Sequence, residues 1–88
     1  PPESRPLAPL RVLAVDDNVD AADTLAELLP IWGHEAEVAY TGPDALAVAR
    51  ACHPDVVLLD IGLPGMDGYM VAEQIRADPA LAGVRLVA

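Results

Sequence analysis

At 88 residues the chain holds at most one small domain, and its 14 acidic residues against five arginines (net charge −9) disfavour nucleic acid and anionic membrane as direct partners. A hydrophobic fraction of 53% with only 3% aromatics excludes disorder and predicts helices packed closely on their support through alanine. The single cysteine, Cys52, excludes an internal disulfide, and neither a membrane-spanning apolar run nor a signal-peptide pattern is present, so the expectation is a soluble segment in the cytoplasm.

Residues 1–9 carry four prolines among Glu3, Ser4 and Arg5, which reads as an extended linker leading into a domain that begins at residue 10. A strand is expected from about Leu10 to Val15, followed by Asp16-Asp17-Asn18, a cluster suited to a loop or a helix cap. A helix follows from Val19 to Leu29 or beyond, with Ala22, Leu25, Ala26 and Leu29 on one face and Asp20 and Asp23 near its start. Pro30 is expected to kink or stop it, with Gly33 as the exit. Glu35-Ala36-Glu37-Val38-Ala39-Tyr40 alternates acidic and apolar residues, as a half-exposed edge strand does.

Thr41-Gly42-Pro43-Asp44 starts a second helix whose inner stripe is Ala45, Leu46, Ala49 and Cys52, ended by Pro54. Val56 to Leu59 is a continuous apolar run, expected to be a strand buried on both faces. It stops at Asp60 and enters a Gly- and Pro-rich loop. A third helix spans about Gly68 to Ala77, with Val71, Ala72 and Ile75 inward, and Val84 to Val87 begins a further strand. Strand and helix alternate with short links, the pattern of a parallel sheet with right-handed crossovers.

In such sheets ligands bind beyond the carboxyl ends of the strands. Asp16 and Asp17 after the first strand and Asp60 after the third would share that edge. Carboxylates so close repel one another unless a cation relieves them, so the pattern asks for a metal. His34 reads as a solvated turn residue, and His53 suits the end of its helix. Neither has a partner at metal-binding spacing. Cys52 reads as a small buried hydrophobe, Trp32 and Tyr40 as core or edge packing, and Asp67 as a helix cap.

The acidic pair after strand one, the aspartate ending strand three, and Leu63-Pro64-Gly65-Met66-Asp67-Gly68 after it resemble the receiver domain of bacterial two-component response regulators. The likeness covers Leu10 to Ala88. It implies a flavodoxin-like three-layer α/β fold with parallel sheet order 2-1-3-4(-5), here the N-terminal part without helix 4, strand 5 and helix 5. It also implies that Asp60 is a phosphoacceptor, not an enzyme's active-site residue, attacking the phosphohistidine of a sensor histidine kinase or a histidine phosphotransfer domain. Mg²⁺ would be held by Asp17 directly, by Asp16 mainly through water, by Asp60, and by the backbone carbonyl of Gly62. A hard cation with oxygen donors suits that set, and a carboxylate attacks an anionic phosphoryl group only with such help.

The chain departs from the family pattern in two ways. It contains no lysine, and it stops at Ala88 within the fourth strand, so the Ser or Thr and the Lys that the family aims at the phosphoryl group cannot be assigned. The exposed edge of strand four is expected to favour self-association. Similarity of Asp60 to Ala72 to receivers of hybrid sensor kinases, together with the proline-rich start, implies a hybrid kinase as parent. A stand-alone or DNA-binding response regulator is the alternative parent. A pseudo-receiver, an interaction module without phosphorylation, is a second function class, which the intact acids argue against and the unassigned Ser or Thr and Lys argue for. At Met70 the family usually has a polar, often acidic, residue. A Mg²⁺-dependent phosphatase would want a second acid two residues after the nucleophile, where Gly62 stands.

Overall fold

The computed structural model describes residues 9–60 and 68–87. Among these residues four strands and three helices alternate: β1 (Arg11–Val15), α1 (Val19–Ile31), β2 (Glu35–Ala39), α2 (Gly42–Cys52), β3 (Val56–Leu59), α3 (Gly68–Ala77) and β4 (Arg85–Val87), with a 3₁₀ turn at Pro79–Leu81 before β4. All pairings are parallel, in the order β2-β1-β3-β4. The fold is the flavodoxin-like α/β arrangement, with β2 at an edge as its alternating acids predict.

Strand periodicity sorts the core onto two faces. Leu13, Val15, Val57 and Leu59 join Ala39 on one face, packed under Ala45, Leu46 and Ala49 of α2 and Val71 and Ile75 of α3. The small alanines let α2 lie close to the sheet. Val12 and Ala14 alternate to the opposite face, the side of α1, where Ala22 and Leu29 are buried. Burying each branched side chain contributes about 1.5–3 kcal/mol, so both faces matter to stability.

β3 differs from its expected burial on both faces. Val57 and Leu59 are buried, but Val56 and Leu58 on the α1 side are only half-buried. Among the described residues, α1 is the one helix on that face, and it lies over β1 and β2 more than over β3.

Pro30 neither ends α1 where expected nor breaks it, since the helix runs to Ile31. Near a C-terminus a missing N–H costs one bond, and the carbonyls are satisfied by the turn beyond. Gly33, at φ 89, donates its N–H to Pro30 at 3.0 Å, and the His34 N–H reaches back to the Leu29 carbonyl at 2.9 Å. These two bonds are a Schellman exit, with glycine in the left-handed position that a side chain would strain.

Trp32, expected in packing, is 62% exposed, because it caps the helix beyond its last buried turn. His34 is half-buried rather than simply solvated, and its Nδ1 accepts the Leu10 N–H at 3.0 Å. α2 begins as expected. Thr41 caps it by accepting the Asp44 N–H at 3.2 Å, and Pro43 stands in the first turn. It ends at Cys52, with His53 held left-handed at φ 49 before Pro54. The expected linker at residues 1–9 falls, except for Pro9, outside the described residues.

Candidate functional site

The register of the sheet builds the site. Val15 of β1 pairs with Leu59 of β3, so Asp16 and Asp60 each stand one residue past a matched pair. Their backbones extend the ladder: the Asp60 N–H donates to the Val15 carbonyl at 2.9 Å, and the Asp16 N–H donates to the Ala39 carbonyl at 3.1 Å. Both acids are thus held at the carboxyl edge of the sheet, half-buried, with the exposed Asp17 beside them. Asp16, Asp17 and Asp60 each bring an oxygen within 4.8 Å of the other two.

The link from β1 to α1 is tightly bonded. Asn18 caps α1, its side chain accepting the Ala21 N–H at 3.1 Å. Its own N–H donates to Asp16 Oδ1 at 2.9 Å, which orients the Asp16 carboxylate. One Asp16 oxygen is therefore engaged within the protein, whereas Asp17 lies between two anchored neighbours and faces solvent.

Three clustered carboxylates offer only hard oxygen donors, which suit Mg²⁺ and similar cations rather than a soft metal. Among the described residues the histidines and the cysteine stand elsewhere. His34 and Cys52-His53 lie just before β2 and β3, at the amino edge of the sheet. Burial pushes the Cys52 thiol up, reinforced by the nearby Glu37 charge, although the side chain is half-buried rather than buried as expected, since it lies in the last turn of α2. Two expected contributors, the Gly62 carbonyl and the Asp67 cap, lie outside the described residues together with the loop from residue 61 to 67.

Around the acids the structure adds features that local patterns do not signal. Tyr40, first past β2, donates its hydroxyl to Asp23 Oδ1 of α1 at 2.6 Å. That bond, before any Coulombic effect, raises the phenol above its usual range, because ionising it would give up the proton the hydroxyl donates. Tyr69 and Met70, in the first turn of α3, are 65% and 48% exposed.

Comparison with known proteins bears on what this edge does. The model of the response regulator receiver domain matches residues 12–87. The sensor histidine kinase AtsR of Burkholderia thailandensis is 43% identical over 67 residues, covering 76% of this chain and 11% of the kinase. The DNA-binding response regulator MtrA of Mycobacterium tuberculosis is 41% identical over 78 residues, covering 89% of this chain and 34% of the regulator. Among solved structures, the N-terminal domain of a response regulator receiver protein from Methanoculleus marisnigri superposes with a TM-score of 0.84 at 33% identity, over 90% of this chain and 64% of that one. The chain spans about a tenth of the kinase and about a third of the regulator.

Proposed function

The chain belongs to the response regulator receiver family, and from that premise we propose that it accepts a phosphoryl group on Asp60 in a Mg²⁺-dependent reaction. The donor is the phosphohistidine of a sensor histidine kinase or a histidine phosphotransfer domain. The observation that carries this reading is the meeting of Asp16, Asp17 and Asp60 oxygens within 4.8 Å at the carboxyl edge of the sheet. An intact acid cluster is not what a pseudo-receiver requires, so phosphorylation is the reading preferred.

Asp60 is the nucleophile. One of its oxygens forms a bond to phosphorus as the P–N bond of the phosphohistidine breaks, and the electron pair of that bond returns to the imidazole. The ladder bond from the Asp60 N–H to Val15 keeps the carboxylate at the strand end throughout. Asp17, exposed and unencumbered by the Asn18 bond, is the direct cation ligand. Asp16, with Oδ1 engaged by Asn18, contributes mainly through water. The Gly62 carbonyl is a further proposed ligand. A bound divalent cation supplies the positive charge that lets a carboxylate approach an anionic phosphoryl group.

The likeness to a sensor kinase supports a hybrid kinase as parent, and the likeness to a DNA-binding regulator supports the alternative. Among the described residues no helix is long and apolar enough to cross a membrane. We place the domain in the cytoplasm, as phosphoacceptor rather than enzyme. β4 pairs only with β3 among the described residues, which supports self-association along its outer edge, readable by sedimentation velocity.

Phosphoramidate, a small P–N donor, tests the central step. With Mg²⁺ the chain is expected to gain the mass of one phosphoryl group, on the peptide carrying Asp60, and Asp60→Asn none. Equal labelling of Asp60→Asn, or labelling unaffected by a chelator, would overturn the proposal.

A further inference from the structure

We infer that Tyr40 and Asp23 are positioning residues for the cation ligands, bracing the β1–α1 link from outside the site. This rests on the reading of Asp16, Asp17 and Asp60 as those ligands. Four observations close a circuit. The Asp16 N–H is bonded to the carbonyl of Ala39, the last residue of β2. Tyr40 is the next residue, and its hydroxyl crosses to Asp23 Oδ1 at 2.6 Å. Asp23 leads back through the first turns of α1 to the cap, Asn18. Asn18 returns to the start by donating its N–H to Asp16 Oδ1 at 2.9 Å.

Asp17 is the residue of this circuit between Asp16 and Asn18, and its carboxylate is the exposed one of the three. An exposed side chain is set by its backbone, and that backbone is set by how α1 sits on the sheet. The Tyr40–Asp23 bond fixes this placement at the end of the sheet where the acids stand. It is a short bond to an ionised acceptor, the stronger kind of hydrogen bond. Without it the circuit opens, α1 can shift against β2, and the Asp16–Asn18 link has more geometries to sample. Pre-ordering a ligand set strengthens binding by removing that ordering cost.

The test uses the 88-residue chain and two readouts from amide NMR: hydrogen exchange at Asn18, and the Mg²⁺ titration of shifts around Asp16, Asp17 and Asp60. Tyr40→Phe keeps the ring and removes the bond. It is expected to speed Asn18 exchange and weaken Mg²⁺ binding, each by about two- to tenfold. Asp23→Ala does the same, whereas Asp23→Asn, which loses the charge but keeps an Oδ1 acceptor, restores most of both. That rescue separates bracing from long-range charge. Arg50→Ala removes a surface bond of similar reach, to Asp78 at 3.0 Å, and leaves both readouts unchanged.

Unchanged Asn18 exchange in Tyr40→Phe would overturn the inference whatever the metal does, and so would an equal effect of Arg50→Ala. A wild type that ignores Mg²⁺ while Tyr40→Phe still speeds exchange would remove the metal reading and support the brace.

Discussion

Replacing Asp60 by Asn should stabilise the protein when no divalent cation is present. The change keeps the side chain's shape and the ladder bond from the residue 60 N–H to Val15, and it removes one charge from a cluster of three. At 4.8 Å, the upper limit of the spacing between these oxygens, two unit charges repel by about 0.9 kcal/mol at the dielectric of water and about 3.5 kcal/mol at an effective value near 20. Asp17 is exposed and the other two acids are half-buried, so screening places each pair near the lower figure. Asp60 faces two such neighbours, and the relief is about 1–2 kcal/mol. In a domain of this size each kcal/mol moves the melting temperature by about 4–8 °C. Thermal melts followed by circular dichroism, first in chelator and then at rising Mg²⁺, read the effect. In chelator Asp60→Asn melts higher. Mg²⁺ then raises the wild type more, closing the gap, and added salt narrows it from the start. An Asp60→Asn protein that melts at or below the wild type in chelator would refute the reasoning, as would an equal gain from Mg²⁺ in both.

Two further outcomes are expected elsewhere in the fold. His53 caps α2 with φ 49, a left-handed conformation that glycine adopts without strain. His53→Gly should therefore stabilise the fold by about 0.5–1 kcal/mol once the added freedom of the unfolded chain is subtracted, read as a higher urea midpoint. Asp78 is held below the usual carboxylate range, first by its bond from Arg50 and then by the Ala80 N–H. Its stabilisation is thus complete above the ordinary carboxylate pKa of about 4 and fades as pH falls through the lower folded value. Arg50→Gln should lower the urea midpoint at neutral pH and flatten that acid limb, the variant and the wild type converging as pH falls through the folded value.

Much of this architecture was legible because its signals are local. The acids at positions 16, 17 and 60 directly follow apolar runs, and the topology of a parallel sheet carries them to one edge. Thr41, Pro43 and Gly33 mark helix ends through their own backbone preferences. The misread positions depend on partners distant in sequence. Val56 to Leu59 is uniformly apolar, so the pattern carries no period, and only the placement of α1 decides which side chains are covered. Pro30 looks disruptive until its place in the last turn is known: it removes one N–H there, and the terminal carbonyls of Leu29 and Pro30 are taken up by His34 and Gly33. His34 gains its role from Leu10, which the sheet brings alongside. The Tyr40–Asp23 bond joins two elements through the β1–β2 register, which neither residue announces.

That register also determines which changes in chain length the domain can absorb. Asp16 and Asp60 face one another because Val15 and Leu59 are paired and each strand leads into its acid without an intervening residue. One residue inserted within β1 or β3 would turn every following side chain to the opposite face and carry the acid with it. The same insertion at Gly33, where the chain reverses with nothing within 4 Å of an added Cβ, would lengthen a turn at the far end of the sheet. Length variation in this fold is therefore polarised: insertions belong to the turns at the amino edge, and the two strands that measure out the acidic site are fixed in length.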